Sequence, residues 1–188
     1  MDWVRLMRRY AAAVLALSLV GTAGSQPSET ALAEAWSAPV LSLWIASSRD
    51  AALARGVDVI PPDIRAALAG FVPDDILDRV RWRVDDSALS VQQSLFRLGY
   101  TPAMTLDYVI VFATSADALT DAALWAHELF HVRQYRDWGV DGFAARYLED
   151  YAAVEHDAAE FRWQWMKATG RVPAPGGRRS ELRSRFLP

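Results

Sequence analysis

The spacing of apolar and polar residues changes period several times along the chain, and each change predicts an element. Residues 31–55, "ALAEAWSAPVLSLWIASSRDAALAR", read as helix, interrupted near Pro39 and closed by Gly56. "VIPPDIRAALAGFVPDDILDRV" predicts two short helices. Prolines sit in the first turns, aspartates sit where the helix dipole favours negative charge, and Gly70 is a stop. "RVRWRV", 79–84, switches to strict alternation and predicts a half-buried strand whose arginines form a solvated face. "SVQQSLFRLG" predicts a short helix ending at Gly99, and "AMTLDYVIVFA", 103–113, predicts the most buried strand. Two longer helices follow, over about 117–137 and 141–168, the first ending before Gly139 and the second at Gly170. The expected fold class is α+β, mainly helical with a small sheet.

Composition narrows the picture. A length of 188 residues suits one domain, and 52% hydrophobic with 11% aromatic content excludes a disordered chain. A net charge of −3 excludes nucleic acid as the main partner. "MDWVRLMRR" followed by the short apolar run "YAAAVLALSLVGTAG" and a small-residue exit near Ser25 reads as a signal peptide over residues 1–25. The expectation is an exported protein, periplasmic or secreted, with no stable membrane span after cleavage; an N-terminal membrane anchor is the alternative. The remaining divisions are a helical segment at 26–57 that opens with the linker "QPSET", a domain at 58–170, and an Arg/Pro/Gly-rich tail at 171–188. That tail reads as a loosely held terminus whose arginines would suit an anionic partner. The chain has no cysteine, so any metal site must be built from His, Asp and Glu.

"LWAHELFHVRQY" carries such a site. Residues four apart on a helix share a face, so His127 and His131 aim their imidazoles at one point. Glu128 lies about 100° round the helix, placed to reach a metal-bound water without ligating the metal. The motif sits in apolar flanks, where two histidines with nothing to bind would carry a desolvation cost. A further His at position 137 would mark one zinc-peptidase subclass, but Gln134 and Asp137 stand where its Gly and His belong. The third ligand is expected from the next helix, where Glu155 flanks the apolar stripe Tyr147, Tyr151, Val154, Ala158, Phe161 and Trp165. His156 is the rival, while Glu149 and Glu160 read as solvated. Asp157 reads either as a hydrogen-bond partner of a ligating histidine or as a surface charge.

Three segments in order carry a family resemblance. "IPPDIRAALAGFVPDDILDRVRWRV", then "AMTLDYVIVFA", then "LWAHELFHVRQY" resemble the eCIS core domain (DUF4157) family. Ala103, Thr105, Ile110 and Phe112 hold the middle segment, and His127, Glu128, His131 and Gln134 the last. "EHDA" at 155–158 is similar to the glutamate-ligand motif of zincins. The resemblance implies a zincin-like metallopeptidase in a family associated with bacterial contractile injection systems and toxins, and it assigns no substrate. The expected enzyme holds zinc on His127, His131 and Glu155, uses Glu128 as general base, and cleaves a protein or peptide. Tyr147, Tyr151 and Arg146 are candidate oxyanion partners, and the free edge of the "DYVIVF" strand is a candidate peptide-docking edge. The alternative is a non-catalytic, zinc-braced exported module that binds a partner protein.

Overall fold

The computed structural model describes residues 37–84 and 101–172. The expected signal peptide, the linker at 26–30, the helix expected at 90–99 and residues 173–188 of the tail lie outside them. No helix among the described residues is long and apolar enough to cross a membrane.

Helix α1 (Ala38–Ala54) has Pro39 in its first turn, where its fixed φ suits the start of a helix; residues 31–36 of the expected helix lie outside the described residues. The short strand β1 (Asp58–Val59) leads to α2 (Pro62–Leu68), α3 (Asp74–Arg79) and β2 (Arg81–Val84). The arginines of β2 are not a solvated face. Arg81 Nη1 donates to the carbonyls of Asp78, Arg79 and Val80, closing the negative end of α3, and Arg83 reaches the Gly56 carbonyl.

The run expected as one buried strand is a hairpin, β3 (Ala103–Leu106) and β4 (Val109–Phe112). Asp107 takes φ 59° at the turn, a conformation aspartate tolerates better than most residues. Arg49 of α1 holds the Asp107 carboxylate at 2.9 Å, and Arg49 and Arg79 both lie over the Tyr108 ring. The four-stranded sheet runs β1-β2-β4-β3, with β2 and β4 parallel and the other pairs antiparallel. β4 is therefore paired on both sides, and the peptide-docking edge expected on it does not exist. The outer strand on that side is β3, which lies against the last helix.

β4 is buried on both faces, and its alternation divides the core. Ile110 and Phe112 pack with Trp82, Trp125 and Trp165, while Val109 and Val111 pack with Leu41 and Ile45 of α1, Tyr135 and Phe143.

After α4 (Ser115–Thr120) the chain enters α5 (Ala122–Ala168). One helix was expected over 117–137, but Asp121 breaks it: its carboxylate accepts from Leu124 N at 2.9 Å and caps a new start. α5 then bends twice, at Gly139 (φ 70°, ψ 171°) and at Asp150 (φ −149°, ψ 79°), whose carboxylate accepts from Ala153 N. Three limbs result, 122–138, 140–149 and 151–168. The first and last pack antiparallel, with Phe130 against Phe161 at 5.1 Å and Gln134 against Val154. Trp165, fully buried, donates from Nε1 to Ala67 O at 3.1 Å and ties the last limb to α2.

Gly139 adopts a backbone conformation open essentially to glycine alone, and a Cβ there would touch nothing within 4 Å. Gly139→Ala should therefore destabilise through the backbone alone, by about 1–3 kcal/mol. Urea unfolding measures this; an unchanged midpoint would show that the bend is not fixed at this residue.

Candidate metal centre

His127 and His131 project from the first limb one turn apart, as the motif requires, and their Nε2 atoms are 3.2 Å apart. The last limb starts at the Asp150 cap, so Glu155 comes just over one turn into it and faces both imidazoles. Its Oε2 lies 3.3 Å from His127 Nε2 and its Oε1 lies 3.6 Å from His131 Nε2. The three side chains form a single group able to hold a metal ion. Two imidazole nitrogens facing each other at this range repel unless a proton or a cation lies between them, so the donor set fits a divalent cation.

Around these donors the chain buries further polar groups. Glu128, 4% exposed, accepts a hydrogen bond from Thr105 Oγ1 of β3 at 2.7 Å, and the same hydroxyl lies 3.2 Å from the Glu128 carbonyl. Gln134 Oε1 is 2.7 Å from His131 Nδ1, and Gln134 Nε2 donates to Val154 O at 3.2 Å. Tyr147 donates its hydroxyl to Glu155 Oε1 at 3.2 Å, the role the structure gives this candidate oxyanion partner. Tyr151 packs on the Tyr147 ring, and Arg146 is exposed over Trp138. His156, Asp157, Glu149 and Glu160 are exposed, so the rival third ligand faces solvent. Gln134 hydrogen-bonds His131, and Asp157 is the exposed charge that was the other reading of it.

Sequence reasoning missed the roles of Gln134 and Thr105. Gln134 lies three residues after His131, on the same helical face, and that spacing could have pointed to it. Thr105 reaches Glu128 across the sheet–helix junction, and no local spacing signals such a contact.

The electrostatics follow from this packing. Burial alone would lower the His131 pKa, but the Glu155 carboxylate, with Glu128 and Gln134 behind it, outweighs burial and pushes it up to about 9. Burial works to raise Glu155, and the two imidazoles outweigh it and hold the carboxyl well below its usual range. The raised His131 stabilises the folded state fully below its ordinary value of 6.5, and that contribution is lost as pH rises through about 9. The depressed Glu155 contributes above its ordinary value of 4.5, and its contribution is lost as pH falls below that. Chelator-treated protein should therefore be most stable between these two ordinary values and weaken toward pH 9. Glu155→Gln should flatten the alkaline decline. Urea midpoints across this range test it, and a wild-type midpoint level from 6.5 to 9 would refute the pairing.

The family model of the eCIS core domain matches residues 59–139. No curated protein and no solved structure matches the chain. The matched segment runs from β1 to the Gly139 bend and contains Thr105, Glu128, His127, His131 and Gln134, while Glu155 lies beyond its end. Residues 59–139, less than half of the chain, are thus similar to the eCIS core domain.

Proposed function

We propose that this protein is a zinc-dependent peptidase of zincin-like arrangement, with His127, His131 and Glu155 as ligands and Glu128 as general base. The observation that carries the reading is the convergence of three side chains: the two Nε2 atoms lie 3.2 Å apart, and Glu155 turns Oε2 to His127 at 3.3 Å and Oε1 to His131 at 3.6 Å. Tetrahedral zinc with bonds of about 2.0–2.1 Å places its ligand atoms about 3.4 Å apart, close to the separation of the two imidazole nitrogens. Two imidazoles and one carboxylate suit zinc and are poor ligands for magnesium or calcium, which prefer all-oxygen shells. Among the described residues no fourth side chain joins the group, and three protein ligands are the pattern of a catalytic site.

A bound zinc supplies Lewis acidity, acidifying a coordinated water and polarising a peptide carbonyl. The protein's own residues do the rest. Glu128 is held by Thr105 through Oε2, which fixes its carboxylate beside the donors and leaves Oε1 to take a proton and deliver it to the leaving amine. Tyr147 restrains Glu155 so that its carboxylate stays turned to the imidazoles. With the export read from residues 1–25, the substrate would be a protein or peptide met outside the cytoplasm.

Elemental analysis of purified protein should find one zinc per chain. Glu128→Gln should keep that zinc and lose cleavage of a panel of denatured proteins by at least about 100-fold. Absence of zinc from the wild type would end the reading. Zinc with no cleavage by either form would favour the non-catalytic, zinc-braced module. Glu155→Ala should lower zinc affinity sharply, as read by competition with a chromogenic chelator.

A further inference from the structure

Gln134 is 3% exposed, so both ends of its amide must find partners inside the protein. One end meets Val154 O, a backbone carbonyl that can only accept. The amide nitrogen must therefore face Val154, and the amide oxygen must face His131 Nδ1 at 2.7 Å. An amide oxygen can only accept, so Nδ1 of His131 must carry the proton. A neutral imidazole with hydrogen on Nδ1 has its lone pair on Nε2, the atom that lies 3.2 Å from His127 Nε2 and 3.6 Å from Glu155 Oε1.

From this chain of forced orientations we propose that Gln134 is a positioning residue that relays polarity from the last limb of α5 to His131. Docking of the limb that carries Glu155 sets the amide, and the amide sets which nitrogen of His131 is available to a cation. The second and third donors are thereby prepared by one event, since Val154 is the residue immediately before Glu155. His127 provides the contrast: its Nδ1 is buried with no hydrogen-bond partner among the described residues, and none of them fixes its ring in a comparable way. The metal arm of the test rests on the ligand set proposed above; the tautomer arm does not.

Nitrogen-15 NMR of chelator-treated protein, taken at alkaline pH where the ring nitrogen shifts are those of neutral imidazole, reads the tautomer directly. Wild-type His131 should carry its hydrogen on Nδ1, against the Nε2–H form that free imidazole side chains favour. Gln134→Leu should return His131 toward the Nε2–H form, and the His127 signals should shift with it across the 3.2 Å contact between the two Nε2 atoms. Gln134→Glu keeps an acceptor for Nδ1–H but loses the donor to Val154, so it should retain the tautomer and lower the melting temperature. Zinc affinity should fall about 10–100-fold in Gln134→Leu, and Gln134→Glu should recover most of it. An Nε2–H tautomer in the wild type, or equal zinc affinity in wild type and Gln134→Leu, would overturn the relay. Wild-type protein that binds no zinc yet shows the Nδ1–H tautomer would remove the metal reading and leave the relay standing.

Discussion

The site depends on the return of one helix against itself. The first limb of α5 fixes two imidazoles one turn apart, but it has no third donor on that face. Glu155 is carried back to them only because the chain bends at Gly139 and again at Asp150. A slip of the last limb by one residue would turn its side chains by about 100° and carry the carboxylate away from both nitrogens. Several contacts oppose such a slip. Phe161 stacks between Phe71 and Phe130, Trp165 is hydrogen-bonded to α2, and Gln134 holds Val154. Apolar packing sets the position of the limb and the amide sets its register, so the core and the site are one structure.

The parts of this arrangement that follow helical periodicity could be read in the sequence. His127 and His131 are a fixed spacing on one face, and Glu155 is an acid at the edge of an apolar stripe, so their convergence needed only that the two limbs pack side by side. Features set by single backbone dihedrals could not be read that way. "AMTLDYVIVFA" contains no Gly or Pro, and its hairpin turn depends on Asp107 entering the left-handed region under the hold of Arg49. Asp121 and Asp150 each break a pattern that is otherwise helical, because an aspartate that caps and one that is merely exposed look alike in sequence. The arginines of β2 fit a solvated face by alternation, yet carbonyls at the end of α3 and at Gly56 bind them. Asp157 could be read as a histidine partner or as a surface charge; it is exposed, and the amide that meets His131 comes from the histidine's own limb.

Burial of polar groups supports the site independently of the motif. Among the described residues the buried polar side chains are Ser42, Thr105, Glu128, His131 and Gln134, and all but Ser42 gather at the donors. A domain of this size without disulfides has little stability to spare, and burying ionisable groups lowers it unless they are paired. Thr105 and Gln134 partly meet that need, and pairing with Glu155, which raises His131 and lowers Glu155, leaves those two to share protons across their contact. A divalent cation would replace those shared protons with a fixed charge, so its binding would also be a folding interaction.

This bears on how the family segment should be understood. The match to the eCIS core domain ends at Gly139, the bend itself, and the segment 59–139 contains two imidazoles, the acid beside them, Thr105 and Gln134. Two donors hold a cation poorly, so by this geometry the matched segment is an incomplete centre. The completing carboxylate comes from the limb beyond the bend, held there by packing against α2 and by one amide from inside the matched segment. Within the matched segment, the Gln134 side chain, which is not itself a donor, contacts both His131 and the limb that brings Glu155. Its role is therefore set by where the segment stops. A chain that kept the two histidines but lost the returning limb would keep the motif and lose the third donor, and one that lost Gln134 would keep all three side chains without the amide that orients His131.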